Sequence, residues 1–132
     1  TAIGIQMANF DITINKALDL TTIRFSGKVL ASEIIDAIQS FYQSEITSKV
    51  LWDFLEGDFS AMPSSDLTVI VDAAKSLSDM RPGGKSALVG SSDLLFGLAR
   101  MYASLAEVMS HPIANRAFRS KEEALAWLNR QD

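Results

Sequence analysis

Between Ser86 and Leu128 the chain runs through one pattern twice. The short apolar run Ser86-Ala87-Leu88-Val89-Gly90 precedes a long stretch of helical period, Leu94 to Met109. Ile113 to Arg119 is a second short run, and Ser120-Lys121-Glu122-Glu123 then opens a second helix as a capping box, with Glu123 at its third position. A strand and a helix in repeated alternation require parallel pairing, because two parallel strands need a long crossover between them. No other feature narrows the possible folds as far.

The remainder extends the same scheme. Phe10, Ile12 and Ile14 alternate with Asp11 and Thr13, the period of a half-buried strand. Leu20 to Phe25 is rich in β-formers, and Asn15-Lys16 supplies a turn between the two runs, giving an antiparallel hairpin that Gly27 ends. Ile34, Ile35, Ile38, Phe41 and Tyr42 recur at helical spacing behind Ser32, the expected N-cap. Lys49 to Leu55 reads as a buried strand and Glu56-Gly57-Asp58 as a loop. A helix follows Pro63-Ser64-Ser65-Asp66, burying Leu67, Ile70, Val71 and Ala74, and Arg81-Pro82-Gly83-Gly84 breaks it. The expected architecture is a single α/β domain over residues 1–132. It has a mixed five-stranded sheet with four flanking helices, in the order β-β-α-β-α-β-α-β-α.

Composition removes several functional classes. Apolar residues make up 48% of the chain and charged residues 21%, so a packed core is expected. The net charge of −4 argues against non-specific nucleic-acid binding, which needs a basic face. With no cysteine, disulfides, thiol catalysis and zinc–thiolate sites are excluded. No run approaches the roughly 18 apolar residues of a membrane span. The start, TAIGIQM, lacks the basic flank and apolar core of a signal peptide, and Met7 is an alternative start that would make residues 1–6 an extension. A cytoplasmic, bacterial protein is expected.

The candidate chemical motifs are weak. Gly84-Lys85-Ser86 resembles the end of a phosphate-binding loop, but position 79 is Asp where that motif needs glycine, and a helix precedes it where a strand should. Asp53, Glu56 and Asp58 follow the third strand and are oxygen ligands of the type Mg²⁺ takes, yet no second cluster joins them, so a solvated loop is expected. His111, the one histidine, sits before Pro112 at the end of a helix, where a cation suits the dipole. Without a second histidine or a cysteine, nucleophilic triads and His-based zinc sites fail. Ser64 and Ser65 are the candidate phosphorylation residues, with N-capping as their ordinary role. No cofactor, metal or catalytic residue is expected.

The helix Leu94 to Met109 is more informative. At about 100° per residue, Leu95, Leu98, Tyr102, Leu105 and Met109 share a face, and Met101 and Val108 widen it. The polar stripe is narrow, with Phe96 beside it one turn before Arg100. So wide an apolar arc is either covered within the fold or offered to a partner or ligand. Phe96, Arg100 and Met101 are the candidate contact residues on this helix.

Taken in order, VLWDF, GKSALVG, FGLARMY and FRSKEEALAWL resemble the SpoIIAA-like proteins over roughly residues 10–130. These are grouped with STAS domains, the fold of anti-sigma-factor antagonists, and are linked to the CRAL-TRIO lipid-binding fold. The resemblance implies a mixed sheet with flanking helices. In the antagonists a phosphorylatable serine stands in an Asp-Ser-Ser type motif after the third strand. Its nearest counterpart here is Ser64-Ser65, with Pro63 in place of the aspartate.

The expected function is a non-catalytic STAS-like regulatory or interaction module. Its partner would be another protein or a second copy, as a homodimer. The alternative is a carrier or sensor of an apolar small molecule or lipid, with Trp52 and Phe54 lining the site beside the long helix.

Overall fold

A computed structural model describes residues 2–6 and 9–130, with side chains from Asn9 onward. Met7 lies outside the described residues. The strands are β1 (Ala2–Gln6), β2 (Phe10–Asn15), β3 (Leu20–Lys28), β4 (Lys49–Asp58), β5 (Lys85–Val89) and β6 (Ala114–Phe118). The helices are α1 (Ala31–Gln43), α2 (Leu67–Ser76), α3 (Asp93–Val108) and α4 (Lys121–Leu128). The expected order from β2 onward is observed, and β1 adds one strand at the antiparallel edge.

The strands lie in the sheet in sequence order. β1, β2 and β3 pair antiparallel, while β3 to β6 pair parallel. Each parallel step moves one place in the same direction, so right-handed crossovers put α1, α2 and α3 side by side on one face. α2 packs against both α1 and α3, as that arrangement demands. α4 covers β4, β5 and β6 on the opposite face.

Two unequal cores result. The larger joins Ile12, Ile23, Phe25, Val50, Trp52 and Phe54 of the sheet to the inner faces of α1, α2 and α3. The smaller holds Leu51, Ala87, Val89, Ala124 and Leu128 beneath α4. β4 is therefore covered on both faces, and Val50 to Phe54 are all buried, which is why that strand reads as a continuous apolar run.

Several local expectations change. Glu56-Gly57-Asp58 belongs to β4, which continues past a register shift between Arg24 and Ser26 of β3. α1 starts at Ala31 with Leu30 as N-cap, because Glu33 Oε1 accepts the Leu30 N–H at 3.1 Å and replaces a serine cap. Ser92 and Ser120 do cap α3 and α4, accepting from the N–H groups of Leu95 and Glu123. Lys85 begins a strand, and its Nζ donates to the carbonyls of Trp127 and Arg130, so Gly84-Lys85-Ser86 forms no phosphate loop. Among the described residues no helix is long and apolar enough to cross a membrane.

Candidate functional site

The helices α1–α3 do not close tightly on the sheet. A cavity of about 60 Å³ lies between them. Trp52, Phe54 and Phe59 form part of its wall, with Ile38, Leu67 and Leu95 from the helices. Its other end is polar, made by Tyr42, Arg81, Ser86, Tyr102, His111 and Asn115. This end lies where the parallel strands begin: Ser86 and Asn115 are the second residues of β5 and β6, and Arg81 and His111 precede those strands.

Arg81 organises that end. Its Nε donates to Thr47 O at 3.1 Å, and its terminal nitrogens donate to Ser86 Oγ at 3.2 Å and to Ser48 O and Lys85 O at 2.9 Å each. The guanidinium also lies over the Phe41 ring, 5.3 Å from its centroid. Burial lowers its pKa, while Tyr42 and then Asp19 favour the charge. Burial also pushes the Tyr102 hydroxyl well above the ordinary phenol value, with Tyr42 adding to it. His111 is held below the ordinary imidazole value, by burial first and then by Arg81 and Lys75. Its buried Nδ1 has no hydrogen-bond partner. His111 is thus no helix-terminal cation; Lys75 fills that role, with Nζ 2.7 Å from Met109 O.

Trp52 and Phe54 meet at the cavity wall, but the α3 candidates separate. Phe96 and Arg100 lie on the flank of α3 toward β6, where a groove of about 230 Å³ is lined also by Ala103, Asn115, Arg116 and Ala117. Arg119 lies over the Phe96 ring at 4.4 Å and pairs with Asp93 at 3.0 Å. Met101 belongs to another row. It is 47% exposed and falls in line with Leu94 (58%) and Val108 (80%), each seven residues away. The apolar arc of α3 is therefore only partly covered. Leu95, Leu98, Ala99 and Ala106 are buried, and the widening residues face outward.

Ser64 and Ser65 are exposed in a 3-10 turn, Ser64–Asp66, and neither caps α2 through its side chain. The three acids Asp53, Glu56 and Asp58, all within β4, are dispersed. Asp53 pairs with Lys121, Glu56 pairs with Arg24, and Asp58 accepts the Ser60 N–H. Among the described residues no three metal-ligating side chains come together.

Tyr42, Arg81, Ser86, Tyr102 and Asn115 carried no sequence signal for this role. Each sits singly in its own element, and Arg81 reads only as part of a breaker. Compared with known proteins, the chain matches no family model and no curated protein.

Proposed function

We propose that this chain is a non-catalytic interaction module of STAS type that pairs with a second copy through the outer face of α3. The row Leu94, Met101 and Val108 carries this reading. Three large apolar side chains in line on one helix form a patch that water solvates poorly. The row is also self-complementary. In an antiparallel pair of α3 helices centred on Met101, Leu94 of each copy meets Val108 of the other, as a two-fold interface requires. Beside the row, a Cβ added at Gly97 would meet nothing within 4 Å, so a second helix has room to approach closely. A mixed sheet with flanking helices is what the SpoIIAA-like resemblance implies, which supports the same reading. So does the use of the polar side chains, since Asp53, Glu56 and Arg81 are engaged in structural bonds.

Sedimentation velocity tests it. The expected wild-type species at micromolar concentration is a dimer, and Met101→Asp with Val108→Asp should yield a folded monomer. A monomeric wild-type protein, or a dimer that survives both substitutions, would sink the proposal.

The interior cavity favours a second reading, binding of an apolar molecule with a polar group. Its apolar wall and clustered polar end suit such a ligand. At about 60 Å³ it is far smaller than the roughly 300–1,000 Å³ of ligand pockets, so entry of a lipid requires α1–α3 to move outward. Native mass spectrometry of the purified protein decides this: a co-purifying lipid supports a carrier, and its absence with organic extracts also blank removes that role.

A further inference from the structure

We propose that the groove between α3 and the free edge of β6 receives an extended, acidic segment of a partner protein, added to the sheet as a further strand. The groove opens on the β6 side of α3, and Ser104, one turn from Met101 and Val108, borders both it and the Leu94–Met101–Val108 row.

β6 is the last strand of the sheet. Ala114 N donates to Gly84 O and Phe118 O accepts from Gly90 N, so these alternate residues face β5. In a parallel ladder the residues between them turn the other way. Asn115 and Ala117 therefore aim their N–H and C=O groups at the free edge, and the same two residues line the groove. An edge of this kind takes up a peptide through main-chain hydrogen bonds, with alternate side chains reading the flanking pockets.

Charge decides the occupant. The chain carries −4 overall, yet Arg100, Arg116 and Arg119 gather around this groove. Arg119 is held by Asp93, whereas Arg100 and Arg116 have no carboxylate partner among the described residues. They lie instead over Phe96 and Phe118, at 5.9 and 5.4 Å. A second copy docked edge to edge would set these arginines against their own counterparts, while an acidic segment neutralises them. Side chains alternate across a strand. Arg116 is on the α4 face and Ala117 on the α3 face, so the acidic residues of an alternating segment would contact Arg116 and its apolar residues the Phe96–Ala103 wall, while Arg100, beside that wall, would answer the segment's net charge rather than a direct carboxylate contact.

An NMR titration of the full chain tests this with a blocked hexapeptide of alternating Val and Glu. Binding should shift the Asn115 and Ala117 amides, and a Val–Lys counterpart or the exposed Arg116→Glu variant should bind about tenfold more weakly. N-methylating alternate peptide amides should abolish binding in one parity and spare it in the other, using unaltered protein. Equal binding of the two peptides, equal effects of the two parities, or no binding at millimolar peptide would each overturn the proposal. So would Asn115 and Ala117 signals that respond to protein concentration in the Met101→Asp, Val108→Asp variant, which would give the edge to a second copy.

Discussion

Lys121 Nζ lies 3.0 Å from Asp53 Oδ2, and Asp53 is a residue of the central sheet only 2% exposed to solvent. The pair ties the first turn of α4 to β4. Asp53 also accepts the Leu55 N–H at 3.0 Å, so its carboxylate is held from two sides. Lys121→Met leaves a buried carboxylate with that single donor. Because Lys121 itself is half-exposed, solvent offsets part of the cost, and the expected loss is about 1–2 kcal/mol. Replacing both residues by leucine should cost less, about 1 kcal/mol, since neither charge is then left unpaired and only the Leu55 N–H loses its acceptor. Urea denaturation of the two variants distinguishes a pair that stabilises from one that is merely matched.

Arg81 is the second buried charge, bonded directly to backbone carbonyls, with the Asp19 carboxylate favouring its charge from farther off. It joins the segment before β4 to the segment before β5, and its planar fork reaches acceptors on both. Lysine cannot reproduce that geometry. Arg81→Lys is expected to lower stability by about 3 kcal/mol, read as a shift in the urea midpoint with the slope unchanged.

His111 makes stability depend on pH. Its folded pKa lies below the ordinary 6.5, so the folded state resists a proton that the unfolded chain accepts. Above about pH 6.5 the imidazole is neutral in both states and its full contribution to stability is present. As pH falls from there through the folded pKa, that contribution is lost. His111→Gln should therefore flatten the decline in urea midpoint between about pH 7.5 and pH 5.5. A wild-type and variant pair with parallel pH profiles would contradict this.

Gly90 ends β5 where the chain turns toward α3. A Cβ there would fall on the Leu95 side chain, which the Ser92 cap and the core hold in place. Gly90→Ala is expected to cost about 1–3 kcal/mol by overpacking. Gly97→Ala, made in the monomeric Met101→Asp, Val108→Asp background where no second helix approaches, should instead stabilise by up to about 1 kcal/mol. Thermal unfolding of the two alanine variants should move in opposite directions.

The parallel strands were legible because periodicity and burial agree there. Val50 to Phe54 form one apolar run, buried on both faces of the sheet. The capping box at Ser120 was equally plain, because its chemistry is local. The candidate sites were much less so. Phe96, Arg100 and Met101 are near neighbours in sequence, yet Met101 turns away from the β6 groove. A helical projection gives the angle between residues but cannot say which arc the sheet will cover. His111 looked like a helix-terminal cation for the same reason, since nothing local announces Arg81 and Lys75 beside it.

The alternation from Ser86 to Leu128 determined the α/β class, the parallel pairing and the place of α3 and α4, since those follow from short-range patterns of apolarity and capping. Only the tertiary structure decided what α3 leaves bare. The single-direction crossovers set α2 on one flank of it and the sheet edge near the other. They cover Leu95 and Leu98, expose Leu94, Met101 and Val108, and open the groove beside Arg100 and Arg116. Exposure depends on what packs against a residue from distant parts of the chain, and such contacts have no spacing that a sequence can display.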